Sequence, residues 1–241
     1  MISKISVCLE VGPQATGAFA PEYPGCWVYG RNEKNALQEI KIALIEWVGW
    51  LKSYGESVLD IDDNAAVEVT EMLRVDYDPS ETGKPEPLFW SEVGPVTRDD
   101  IDKTIRLMKY SRNDLEATLA GRSEDCMDWE PPARFRTIRN CLIHIAHAEL
   151  WYVTRLNIAT PEKLPESPFE LLDYSRGIAV KCLQDLPERK MKGIFQPRKY
   201  RSPKCNLWTA RKVLRRLVDH ERLHTRDIKK VLELKERRSL S

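Results

Sequence analysis

The residues of this chain best suited to chemistry are its four histidines, which fall in two short stretches: His144 with His147, and His220 with His224. The second stretch reads Val218-Asp219-His220-Glu221-Arg222-Leu223-His224. At about 100° per residue, Val213, Leu217, Ile228 and Val231 form one apolar helical stripe, and His220 and His224 lie within about 40° of its centre. Side chains four apart on a helix are separated by about 6 Å at Cβ, so two imidazoles there reach one small object between them. A divalent metal ion is such an object, and neutral imidazole is a common ligand for it. A lone histidine would read as a core residue with one hydrogen bond. Two inside an apolar stripe at i and i+4, with two more confined to one other helix, point to metal.

That other helix spans Arg136 to Leu156. Its apolar stripe is Ile138, Cys141, Leu142, Ile145, Ala148, Tyr152 and Leu156, with His144 on the flank and His147 about 60° further towards the polar side. His144 therefore ranks as the third ligand. His147 reads as an alternative ligand, a residue supporting the ligands, or an exposed side chain. Cys141, one turn before His144, is a candidate extra ligand or a small buried side chain. Three histidines leave coordination positions open for water or substrate, and the ion then acts as a Lewis acid. Zinc, nickel, iron and manganese all accept such ligands. Glu221, beside His220, and Glu149, past His144, are candidate acid–base groups, and each reads equally well as a surface glutamate.

His220-Glu221-Arg222-Leu223-His224 also satisfies H-E-x-x-H, the pattern in which two histidines bind zinc and the glutamate is the general base of a metallopeptidase. The context is wrong for that chemistry. One class requires a glycine and a third histidine soon after, whereas here Thr225-Arg226-Asp227-Ile228 follows. The other draws a glutamate from a downstream helix, and the stretch from His224 to Ser241 is short for one.

Four long helices position these groups. Thr97 with Asp100 makes a capping-box start, and Ile101, Ile105, Met108, Leu115 and Leu119 carry an apolar face to Gly121. The helix of His144 is second. A third runs from Pro168 to Pro187 with Leu171, Leu172, Ile178, Ala179, Cys182 and Leu183 inward, and after a basic loop at 197–203 the fourth opens at Asn206 or Thr209. Their spacing predicts an all-α antiparallel four-helix bundle over 96–235, followed by a basic tail at 236–241.

Upstream the periodicity is different. Ile5, Val7, Leu9 and Val11 alternate with Ser6, Cys8 and Glu10 in a first strand; 16–20 and 25–30 read as two more, and 66–75 as a fourth. Asn32 caps a helix through Ala36, Leu37, Ile40, Ala43, Leu44, Trp47, Val48 and Leu51. An α+β domain over 1–76 results, joined to the bundle by a Pro- and Gly-rich linker at 77–95 that Phe89-Trp90 pins to a neighbour.

Two resemblances follow from these stretches. Thr137-Ile138-Arg139-Asn140-Cys141-Leu142-Ile143-His144-Ile145-Ala146-His147, together with the His-x-x-x-His of His220 and His224, resembles the DinB/YfiT-like superfamily over about 96–235. The resemblance implies a metal-binding bundle with His144, His220 and His224 as ligands, most often of zinc or nickel. It further implies thiol S-transferase or hydrolase chemistry on a small molecule, with a low-molecular-weight thiol as partner, and homodimers are common among such bundles. Tyr23-Pro24-Gly25-Cys26, Gly30 and the Ala36-Leu37 and Ala43-Leu44 pairs resemble the HicB-like fold over about 1–76, which implies an interaction or ligand-sensing module. A metal-stabilised bundle without catalysis, fused to that module, is the competing reading.

Net charge is close to zero at +1, but residues 1–100 carry 8 Lys/Arg against 18 Asp/Glu and residues 198–241 carry 15 against 5. Arg211, Lys212, Arg215 and Arg216 read as a solvated helix face or as a surface that docks the acidic part. Without interleaved exposed aromatics, a nucleic-acid site is not expected. Six cysteines include no C-x-x-C pair, no apolar leader opens the sequence and no stretch is long enough to span a bilayer, so a reduced cytoplasmic protein without membrane partners is expected.

Overall fold

The computed structural model describes residues 1–81, 86–132, 135–196 and 206–239, the side chains of Asp63 and Ser239 excepted. The N-terminal region is α/β with a mixed sheet. Strands β1 (Ile2–Val11), β2 (Thr16–Phe19) and β3 (Trp27–Gly30) precede helix α1 (Glu33–Ser53) and strand β4 (Ile61–Arg74). The sheet order is β3-β2-β1-β4; β1 is antiparallel to β2 and parallel to β4, because α1 carries the chain back over the sheet before β4 begins. Asn32 caps α1 through its side chain, which accepts from the Asn35 amide at 2.9 Å. Ile5, Val7, Leu9 and Val11 then meet Ala36, Ile40, Leu44, Trp47, Val48 and Leu51 in one core.

The other side of β1, which carries Ser6, Cys8 and Glu10, is covered as well. Cys8 and Glu10 are buried there. Phe19, Trp27 and Phe89 cover that face around Cys8, with Phe89 edge-on to Phe19 at 4.9 Å. Phe89 thus pins the connecting segment by its ring, whereas the Trp90 ring is 80% exposed and this residue is held through its backbone amide, which donates to Glu71 Oε2 at 2.7 Å. The fourth strand starts at Ile61, ahead of the expected Ala66, because backbone pairing with Ile2 extends the ladder through the polar Asp62 and Asn64.

The C-terminal region is helical. Its elements are α2 (Arg98–Leu119), α3 (Glu124–Met127), α4 (Ile138–Thr154), α5 (Pro168–Gln184), α6 (Glu188–Met191) and α7 (Ala210–Ser239). Thr97 and Asp100 form the capping box of α2, and Thr137 caps α4. α4 packs on α5 and α7, and α2 packs on α7 and α5. A two-stranded ladder of β5 (Ile194–Phe195) and β6 (Trp208–Thr209) precedes α7; elements of two residues leave no periodic signal. The basic loop at 197–203, Cys205 and the last two residues lie outside the described residues. Among the described residues no helix is long and apolar enough to cross a membrane.

The two regions share one apolar core, which runs from Ile5 and Ile40 through Leu107, Val153 and Leu183 to Val213 and Leu217. The basic start of α7 is consequently not a solvated face: Lys212, Arg215 and Arg216 are buried. Arg215 donates through Nε to Glu92 at 2.8 Å and through Nη1 to Asp219 at 2.6 Å while lying over the Phe19 ring at 3.9 Å. Arg216 pairs with Glu86 at 3.0 Å. Lys212 Nζ donates to the carbonyls of Glu86 at 2.8 Å and Pro87 at 3.1 Å, and burial lowers its pKa to about 8. The expected docking of acidic on basic parts is carried by these contacts, which bring carboxylates and carbonyls to cations removed from water.

Candidate metal centre

Helices α4 and α7 cross so that His144 from one faces His220 and His224 from the other. One nitrogen from each ring lies within 4.8 Å of the other two. His144 Nε2 and His220 Nε2 are 3.1 Å apart, and the ring centroids stand 4.4–4.9 Å from one another. Nitrogens bound to one tetrahedral zinc at about 2.1 Å stand roughly 3.4 Å apart, so the imidazoles present fit a single ion with small side-chain adjustments. His224 Nδ1 lies 3.1 Å from Asp227 Oδ2, one turn further along α7. That contact orients the ring and leaves Nε2 for the centre.

The electrostatics favour ligation. Burial lowers the pKa of His144 to about 4, with His224, Arg136 and His147 adding to the effect. Burial first, then His224 and Arg216, hold His220 well below the ordinary imidazole range. Both rings are therefore neutral at physiological pH, with lone pairs available without proton loss. Against the centre sits a small cavity of about 30 Å³, lined by Phe135, Arg136, Cys141, His224, Asp227, Ile228 and Val231, with room for water-sized occupants.

The other sequence candidates are placed elsewhere. His147 is exposed and lines a separate groove with Trp151 and Arg155. Cys141 borders the small cavity, but burial pushes its thiol up to about 12, and its sulfur is not among the grouped donor atoms. Glu221 and Glu149 lie in a buried charge cluster. Glu221 accepts from Arg112 Nε at 2.7 Å and from Arg176 Nη2 at 2.6 Å. Glu149 accepts from Arg176 Nε at 2.8 Å and from Ser175 Oγ at 3.0 Å. Despite its burial, Glu221 has its pKa lowered by the two arginines. Arg112, Glu149, Arg176 and Glu221 come from α2, α4, α5 and α7, so one charged residue of each long helix meets at a single level.

Arg112 and Arg176 were not among the sequence candidates, though the signal was present. Arg112 continues the stripe of Met108, Leu115 and Leu119, and Arg176 that of Leu172, Ala179 and Leu183. A cation at an inward position needs buried carboxylates, and Glu149 and Glu221 supply them.

Residues 107–228, just over half of the chain, match the family model of the DinB superfamily. The chain belongs to the DinB superfamily. The match starts within α2, ends within α7 and contains all three grouped histidines. Members of this superfamily generally bind metal, and the His144, His220 and His224 group is where this DinB protein could hold one. No match exists among curated proteins or solved structures.

Proposed function

We propose that this DinB-superfamily protein binds one divalent cation through His144, His220 and His224 and uses it on a small molecule, in thiol S-transfer or hydrolysis. The observation that carries the reading is the convergence of three imidazole nitrogens within 4.8 Å beside a cavity. Zinc and nickel suit three imidazoles best, and iron or manganese also fit. Bound there, the ion supplies Lewis-acid polarisation of a substrate's thiol or carbonyl. The chain's own residues do the positioning. Asp227 sets the ring of His224, and Arg136 lines the cavity beside it. We assign Glu149 and Glu221 to an internal clamp with Arg112 and Arg176. The guanidinium hydrogen bonds on Glu221 count against the peptidase reading, which needs this carboxylate free to take a proton.

The pairwise packing of α2, α4, α5 and α7 supports an antiparallel four-helix bundle of the DinB-like kind. The strand–strand–strand–helix–strand order of the N-terminal region supports a HicB-like interaction or sensing module. A second reading, a metal that stabilises the helices without catalysis, draws support from the burial of His220 and His224, each 8% exposed. Metal content by plasma mass spectrometry separates these readings from a metal-free protein. About one ion per chain is expected for wild type, His147→Ala and Cys141→Ser, and loss in His220→Ala. Wild type that stays empty after reconstitution overturns both metal readings. With metal present, turnover of a small thiol with an electrophilic acceptor, abolished by His220→Ala, supports the catalytic one.

A further inference from the structure

The two histidines of α7 are oriented by different means. His224 has the carboxylate of Asp227 beside its Nδ1. Among the described residues the ring of His220 has one polar partner, His144 Nε2 at 3.1 Å, which belongs to the histidine group itself. The torsion that turns an imidazole about its Cβ–Cγ bond is soft, so packing has to choose the orientation. Besides the two other histidines, the ring packed on His220 is that of Tyr152, in a T-shaped contact with centroids 5.6 Å apart and planes at 77°. Tyr152 and His144 both belong to α4, eight residues or about two turns apart, and His220 touches both rings.

Tyr152 is itself held. It is 3% exposed, with Trp151 at 5.2 Å and Trp208 at 5.9 Å between ring centroids. Arg216, one turn before His220 on α7, donates through Nη2 to the Tyr152 hydroxyl at 2.9 Å. The Nε of the same guanidinium is 3.0 Å from Glu86 Oε2, in the segment that joins the two regions. A buried guanidinium recovers the cost of leaving water only where its partners stand in the directions of its fork, so Arg216 fixes the phenol as firmly as the phenol and Glu86 fix Arg216. A chain of contacts thus runs from Glu86 through Arg216 and Tyr152 to His220.

We infer that Tyr152 is a positioning residue for His220, its ring setting the orientation of the imidazole and its hydroxyl tied by Arg216 to Glu86. The inference rests on the reading that the three histidines bind a divalent cation.

The test is a cobalt(II) titration of the full-length protein, in which the visible absorption of the bound ion reports its ligand geometry and the titration its affinity. Tyr152→Leu is expected to bind about one ion per chain at saturation, with an altered spectrum and affinity lower by about 10- to 100-fold, as for other residues that orient ligands. Tyr152→Phe keeps the ring and loses the tether, and should weaken cobalt about three- to tenfold, the equivalent of one hydrogen bond. Leu44→Ala, which opens a cavity under α1, should lower stability and leave affinity and spectrum at the wild-type values. Wild type that binds no cobalt overturns the metal reading and this inference together. Wild-type affinity and spectrum in both Tyr152 variants, or in Tyr152→Phe where Tyr152→Leu does not fold, overturns this inference alone. Equal changes in Leu44→Ala do the same, because they mark the loss as one of general stability.

Discussion

The backbone amide of Gly25 donates to Asp219 Oδ1 at 2.5 Å, and Asp219 immediately precedes His220. A turn of the N-terminal sheet thereby holds the helix that carries two of the three grouped histidines. Gly25 has φ of +98°, and a Cβ there would stand 2.6 Å from Arg222 Cδ and 3.2 Å from Val218. The glycine is required twice, by its own backbone and by the approach of α7.

Gly25→Ala is therefore expected to destabilise the protein by about 1–3 kcal/mol and to displace α7 near His220. Urea unfolding measures the first effect. Metal titration of the folded variant measures the second, with weakened affinity expected although no ligand has changed.

Asp227→Asn removes the carboxylate that orients His224. Metal affinity should fall about 10- to 100-fold, with binding at saturating metal still one ion per chain. Competition against a chromophoric chelator reads the affinity. An unchanged value would mean that packing alone fixes the ring.

The buried cluster gives a prediction about stability alone. Arg112→Met leaves Glu149 and Glu221 with Arg176 as their shared guanidinium and should cost about 3–5 kcal/mol. Adding Glu221→Gln removes the surplus charge, so the double variant should be more stable than the sum of the two single losses implies. Strict additivity in denaturant titrations would show that the two side chains do not act as a pair.

Glu10 sets a pH dependence. Burial, with Glu86 adding to it, raises its pKa from 4.5 to about 7 against the opposing pull of Tyr77, Arg216 and Lys212. The folded state thus binds more protons than the unfolded chain between those values. Stability contributed by this group is full below about pH 4.5 and is lost as pH rises towards 7, by about 3 kcal/mol at most. The difference in unfolding free energy between wild type and Glu10→Gln, followed across that range, should show this slope.

Much of the site was legible because helical periodicity survives in a single chain. Val213, Leu217, Ile228 and Val231 define the inward stripe of α7, and His220 and His224 fall on it by spacing alone. His144 could be preferred to His147 for the same reason, and the structure places only His144 with that pair. What periodicity cannot supply is the partner of a charge. Lys212, Arg215 and Arg216 look like water-facing residues until the carbonyls of Glu86 and Pro87 and the carboxylates of Glu86 and Glu92 are brought to them from far upstream. The second covered face of β1 was hidden likewise: Ser6, Cys8 and Glu10 alternate as a half-exposed strand should, and only the arrival of Phe89 and Arg215 over Phe19 buries that side.

That arrival has a consequence for how the protein is made. Helix α7 is synthesised after every other described element, yet it supplies Arg215 over Phe19, Asp219 for Gly25, Glu221 for Arg112 and two of the three histidines. While the chain is still emerging from the ribosome, the sheet has one uncovered aromatic face and the interior cations of α2 and α5 have half their carboxylates. The nascent chain must wait with these groups wet until α7 brings what covers the sheet, balances the charge cluster and completes the histidine group.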